Sequence, residues 1–194
     1  MNSRTIVLYE DAAARALEPF ALTRPVCEFR TGAVLLRERW AQVASGGIAG
    51  RVGAPHLASF DEPGTPRTLN GVLDAGTVVA NARFAPGLGA PLDDADVWTA
   101  DGRVAAVRLA APLDAASLGD GTLALDSLAP PGARAARLHG WWIDHAWDLV
   151  RHLGAMLASD IPVIGVTLAT GNAGALDGVH IVGTHPVFIE DGAV

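Results

Sequence analysis

The sequence contains no lysine: all 14 of its basic residues are arginine. A Schiff base and a catalytic ε-ammonium are therefore excluded. Any phosphate held by a side-chain cation must be held by a guanidinium, which offers a planar fork of donors. Cysteine occurs once, as Cys27, so no internal disulfide can form and the chain fits a reducing compartment. Aromatic residues make up 6% and charged residues 18%, against 50% hydrophobic, a balance too apolar and too weakly charged for disorder. Much of the apolar share is small, because alanine occurs 36 times. Long apolar runs are lacking too. Ile6–Tyr9 ends on Glu10 and Asp11, and Ile161–Ala169 is far too short to span a bilayer. The expectation is a soluble, cytoplasmic protein without a membrane partner. The net charge of −7 argues against non-specific nucleic-acid binding, which needs a basic stripe. No Gly-x-Gly-x-x-Gly, Walker-type loop or Gly-x-Ser-x-Gly elbow is present.

The 194 residues suit one domain, or one domain plus a fragment. Ile6–Tyr9 reads as a buried strand, and Asp11 before Ala-Ala-Ala-Arg reads as the cap of a short helix. Pro19 and Thr23-Arg24-Pro25 force an extended path. Between Gly32 and Val43 the spacing of Val34, Leu35, Trp40 and Val43 predicts an amphipathic helix. Thr77–Ala80 predicts a second buried strand, and Val97–Ala100, Asp101-Gly102 and Arg103–Val107 a hairpin. Trp147–Ser159 predicts a helix with Leu149, Val150, Leu153 and Leu157 on one face. Alternation of strand and helix in the first half favours an α/β sheet. Residues 165 to 178 read as a linker or arm. Ile189-Glu190-x-x-Ala193-Val194 then fits one hexapeptide of a left-handed β-helix, with Val182-Gly183 opening the preceding one. The alternative there is a terminal edge strand. The expected division is an α/β domain over 1–164 and an arm with the first β-helix rung over 165–194.

Chemistry-bearing residues fall at a few places. Glu10 and Asp11 stand at a strand's carboxyl end, where α/β sheets bind ligands, although Asp11 also serves as a plain helix cap. Asn81 and Arg83 follow the second strand. Arg24 and Arg30 lie six residues apart and could grip one anion, or pair with Glu28, Asp11 or Glu38. Asp93, Asp94 and Asp96 read as a cation site or a solvated acidic loop. His139, His145 and His152, with Asp144 and Asp148, read as metal ligands or as part of a packed tryptophan-rich stretch. Cys27 has no His or acid at motif spacing and reads as an idle thiol.

One set of residues carries a resemblance. Leu17, Pro19, Leu22-Thr23-Arg24-Pro25-Val26, Arg30, Gly32, Glu38 and Trp40 match the opening of the GlmU-like sugar nucleotidyltransferases. Asn81-Ala-Arg-Phe-Ala-Pro86, Trp147-Asp148 and Asp160 resemble later motifs of that family. The resemblance implies a Rossmann-like α/β nucleotidyltransferase domain with a mixed sheet, running into the start of a left-handed β-helix. It implies transfer of a nucleotidyl group from a nucleoside triphosphate to a hexose-1-phosphate, with Mg²⁺ and release of pyrophosphate. Arg24 and Arg30 are then the phosphate-holding catalytic residues. Glu10, Asp11, Thr23, Asn81 and Arg83 are substrate-binding, and Asp11 and Asn81 are the metal ligands. The β-helix half implies a homo-oligomer. Two departures support a second reading. The family's glycine-rich loop is replaced by Glu10-Asp11-Ala-Ala-Ala, and its metal-binding Asp by Asn81. A degenerate domain of that kind binds a nucleotide sugar, or orients a β-helix acyltransferase half, without turnover.

Overall fold

The computed structural model describes residues 5–44, 47–89, 91–168, 180, 182–184 and 187–189. Six strands form the main sheet: β1 (Ile6–Tyr9), β2 (Ile48–Val52), β3 (Val78–Asn81), β4 (Val97–Ala100), β5 (Arg103–Arg108) and β6 (Ala135–Arg137). Their order across the sheet is β6-β4-β5-β3-β1-β2. β1 runs parallel to both neighbours, with Tyr9 opposite Val52 and Asn81. β5 is antiparallel to β3 and β4, and β6 is parallel to β4, so the sheet is mixed, as expected. The Asp-Gly hairpin is also as expected. Asp101 and Gly102 both take positive φ (51° and 74°), the primed-turn geometry that matches strand twist.

β1 is buried along its whole length because its residues partition to both faces. Ile6 and Leu8 join a core with Trp40, Phe84, Trp98 and Trp142, whereas Val7 and Tyr9 join a second core with Val79, Val107 and Leu118. The first face is covered by helices α1 (Leu36–Ala44) and α2 (Leu153–Leu168). The second is covered by one-turn segments at Ala115–Leu118 and Leu125–Leu128 rather than by a regular helix.

α1 starts later than the apolar spacing suggests. Arg30–Thr31 and Val34–Leu35 first pair as a tight hairpin around Gly32, whose φ of +63° favours a residue without Cβ. A Cβ there would meet Asp160 Oδ2 at 2.3 Å. The second helical region differs more. A single turn at Asp148–Arg151 precedes α2, which runs through Pro162 and the expected boundary at 164 to Leu168. Val150 is 74% exposed and Leu153 39%, while Met156 and Asp160 are fully buried. Of the expected face, Leu149 packs partly buried against the first core, whereas Val150 and Leu153 are exposed. The rotation is set instead by a charge pair. Arg39 Nη1 donates to Asp160 Oδ1 at 3.0 Å, Nη2 donates to Oδ2, and Ala33 N–H donates to Oδ2 at 3.0 Å.

Among the described residues no β-helix start is seen. Residues 182–184 and 187–189 form no strand, and the remainder of the expected rung, with the arm at 169–179, lies outside the described residues. No helix among the described residues is long and apolar enough to cross a membrane.

Candidate functional site

Parallel pairing puts the carboxyl ends of β1 and β3 on one edge, and antiparallel β5 brings its first residue, Arg103, to that same edge. Asp11, Asn81, Arg83 and Arg103 all line one cleft there, of about 620 Å³, within the range of small-molecule sites. Its far wall is the 121–126 segment. Tyr9 ties that wall down by donating to Leu123 O at 3.0 Å. Burial, reinforced by the charge of Asp11, pushes the Tyr9 hydroxyl up to about 12, so it stays a donor at neutral pH.

Asp11 caps a helical turn and also lines the cleft. Its Oδ1 caps the first helical turn by accepting from Ala14 N–H at 2.8 Å. Its Oδ2 accepts from Asn81 Nδ2 at 2.8 Å, and Arg83 Nε donates to both oxygens at 3.0 Å. Asn81 Oδ1 in turn accepts from Arg83 N–H at 3.1 Å, which fixes the orientation of the amide. Arg83 continues to Asp144 through Nη1. Arg103 grips that carboxylate in a fork, Nη1 to Oδ1 at 2.9 Å and Nη2 to Oδ2 at 3.1 Å. Both guanidiniums lie over the Trp142 ring, at 4.8 Å for Arg83 and 4.0 Å for Arg103. Burial acts to raise the Asp144 pKa, but the hydrogen bonds and charge of Arg103, with Arg83, outweigh it and hold the carboxyl below its ordinary value.

Asp144 reaches this cluster through two local devices. The short strand Gly140–Trp142 pairs antiparallel with Phe84–Pro86, and Ile143 N–H donates to Arg83 O at 3.0 Å. Asp148, buried, accepts from Asp144 N–H at 3.0 Å and His145 N–H at 2.8 Å, folding the turn that aims Asp144 at the arginines. Asp148, the acid of the Trp-Asp pair, thus positions Asp144. Arg103 and Trp142 were not singled out from sequence as ligand-binding residues, and Asp144 only as a candidate metal ligand. The usable signal was Arg103's place directly after an Asp-Gly turn, at the ligand-binding edge of an α/β sheet.

Asp11 and Asn81, expected as metal ligands, do not fit a Mg²⁺ ion as placed. Magnesium takes oxygen ligands in an octahedral set. Both carboxylate oxygens of Asp11 already accept from N–H donors, and the Asn81 oxygen accepts from a backbone N–H. Among the described residues no group of three or more His, Cys, Asp or Glu side chains could hold a metal, which covers His139, His145 and His152 as well. Asp94 and Asp96 pair with Arg108 and Arg134 on the surface.

Glu10 is buried beside the cleft and not in it. Its Oε1 accepts from Val26 N–H at 2.7 Å and its Oε2 from Ala54 N–H at 3.0 Å, tying the segment after Pro25 and the end of β2 to β1. Glu10→Gln turns one acceptor into a donor facing a backbone N–H. An expected loss of about 1–3 kcal/mol is read as a lower urea midpoint, and an unchanged midpoint contradicts this role.

Arg24, Arg30 and Thr23 do not line the cleft. Arg24 pairs with Glu62 at 3.3 Å, about half-exposed on both sides. Arg30 is exposed and donates to Ala33 O, and Thr23 Oγ1 donates to Phe20 O. The segment between them is not extended. Val26–Glu28 forms a one-turn helix within it, and a second one-turn helix, Phe20–Leu22, lies just before Arg24. Cys27 is buried, and burial, then Glu10 and Glu28, push its thiol well above the ordinary value, in keeping with an idle thiol.

No curated protein and no solved structure matches the chain. A family model described as sugar nucleotidyl transferase matches residues 6–166, which takes in the sheet, the cleft and nearly all of α2. The chain belongs to the sugar nucleotidyl transferase family.

Proposed function

We propose that the Arg83–Arg103 cleft holds the phosphates of a nucleotidyl transfer between a nucleoside triphosphate and a hexose-1-phosphate. The carrying observation is that two guanidiniums converge on one cleft at the ligand-binding edge of the sheet, in a member of this family. In the reaction a phosphate oxygen of the sugar phosphate attacks the α-phosphorus. The bond to the bridging oxygen of the β-phosphate breaks, and pyrophosphate leaves. The nucleophile is already an anion, so no side chain has to remove a proton. Charge offset and alignment are what such a transfer asks of a protein. Arg83 and Arg103 offer the charge, and Trp142 and Asp144 fix their forks. Pyrophosphate release, measured over a panel of triphosphates and hexose-1-phosphates with Mg²⁺ in the buffer, tests this reading. Turnover above background with one pair is the expected result, and none with any pair overturns it.

One observation favours the second reading, a domain that binds a nucleotide sugar without turnover. Where a glycine loop would present free N–H groups to a triphosphate, those at 12, 14 and 15 are engaged. Ala12 N–H donates to Gly121 O at 2.8 Å, Ala14 N–H to Asp11 Oδ1, and Arg15 N–H to Asp11 O at 3.1 Å. Saturable binding of a nucleotide sugar with no pyrophosphate release is the result that selects it.

A further inference from the structure

The two arginines of the cleft are already matched by two carboxylates. Asp144 accepts from both terminal nitrogens of Arg103, and its Oδ1 also accepts from Arg83 Nη1. Asp11 accepts from Arg83 Nε through both of its oxygens. The terminal edge of Arg103 is the face that grips a phosphate with two parallel bonds, and Asp144 fills it. Two guanidiniums against two carboxylates also leave the group without net positive charge. A phosphate therefore gains the full use of Arg103 only when one carboxylate gives way.

The two carboxylates are not held alike. Asp11 also caps a helical turn and accepts from Asn81, and its pair with Arg83 is mostly buried. The oxygens of Asp144 accept, among the described residues, only from the two arginines, and its side chain is 39% exposed. Ion pairs as exposed as Arg103–Asp144 contribute little to stability. The backbone of Asp144 is anchored separately, through the N–H groups that Asp148 accepts from, so the side chain can turn while its backbone stays. There is room for the turn. A second cavity, of about 300 Å³, adjoins the cleft, shares Arg103 and Trp142 with it, and is lined by Asp144, Arg151 and His152.

We propose that Asp144 is an internal stand-in for the ligand's phosphate: it pairs with the arginines until a phosphate takes its place, and then turns into the smaller cavity towards Arg151. The proposal rests on the phosphate role given above to Arg83 and Arg103, and it makes Asp144 a specificity-determining residue. A tethered carboxylate competes at a high effective concentration. A singly charged carboxylate ligand replaces like with like and gains nothing, whereas a phosphate brings more charge to the same two forks. The residue that aims the arginines thus also keeps weaker anions off them.

Calorimetric titration of the whole chain with inorganic pyrophosphate tests this, in about 0.15 M salt, where the screening length is about 8 Å. The unaltered protein is compared with Asp144→Asn and Asp126→Asn. Asp126 lines the far wall of the cleft and, among the described residues, pairs with no arginine, so its change removes a charge without releasing a fork. Thermal unfolding checks the fold of each protein, and Asp144→Ser carries the same expectation if the asparagine variant does not fold. Asp144→Asn is expected to bind pyrophosphate about fivefold to twentyfold more tightly than the unaltered chain, as for a charge-assisted contact no longer competed for. Asp126→Asn is expected to stay within about twofold. Weaker or unchanged binding in Asp144→Asn means that Asp144 only aims the forks, which overturns the exchange and leaves the phosphate cleft standing. An equal gain in Asp126→Asn reduces the effect to net charge and overturns the exchange as well. No binding by any of the proteins overturns both the exchange and the phosphate role.

Discussion

Asp160→Ala is expected to lower the unfolding free energy by about 3–5 kcal/mol, the usual cost of removing one partner of a buried ion pair. Both side chains of the Arg39–Asp160 pair are fully buried. Without Asp160, Arg39 keeps the Thr31 and Pro86 oxygens as acceptors but loses its counter-charge, and Ala33 N–H loses its acceptor. Domains of this size are stable by about 5–15 kcal/mol, so the loss is a large share of the total. The attraction itself is a smaller quantity than this loss, because the cost is mostly that of stranding a charge. The double change Arg39→Met with Asp160→Leu should therefore be less destabilising than Asp160→Ala alone. Urea unfolding of the three proteins decides the matter. If the double variant is the least stable, the pair contributes net attraction and the stranded-charge account fails.

How far the sequence revealed this arrangement depends on the range of the interactions. Short-range features were legible. Asp11 before three alanines announced a capped turn, Asp101-Gly102 announced the hairpin, and the strand ends placed Glu10, Asp11, Asn81 and Arg83 near one edge of the sheet. Roles that depend on distant pairing were not. Glu10 and Asp11 are adjacent, yet one is buried under Val26 and Ala54 while the other lines the cleft, because successive residues leaving a strand point to opposite sides. Asp144 meets Arg83 only because Gly140–Trp142 pairs with Phe84–Pro86, a register that no local pattern encodes. α2 is apolar nearly all round, so periodicity could not choose its buried face, and one buried carboxylate chose it instead. Asp160 was visible as a motif acid without its role. Arg24 and Arg30 were the reverse case, since a shared motif suggested a role, and the fold places them outside the cleft, beside Glu62 and Ala33 O.

Arg103→Ala is expected to weaken binding of the phosphate-bearing ligand about tenfold to a hundredfold, as for loss of charge-assisted hydrogen bonds worth about 1.5–3 kcal/mol. Stability should change little, because the Arg103 side chain is 40% exposed and surface ion pairs contribute about 0–1 kcal/mol. Arg83 does not offer so clean a test. It is the more deeply buried of the two and holds both Asp11 and Asp144, so its removal would leave Asp11 without its arginine, take one of two from Asp144, and disturb the fold with the ligand. Arg103→Lys separates charge from shape. A lysine restores the positive charge but cannot reproduce the two parallel bonds to Asp144 or place a guanidinium over Trp142. If the cleft uses only net charge, the lysine variant binds like the unaltered chain and loses affinity with salt in the same way. If it uses the fork, the lysine variant stays near the alanine one at every salt concentration. The second outcome is expected, because every arginine nitrogen bonded here is aimed by a carboxylate that the fold itself positions. Unchanged affinity in Arg103→Ala would remove the phosphate role from this cleft altogether.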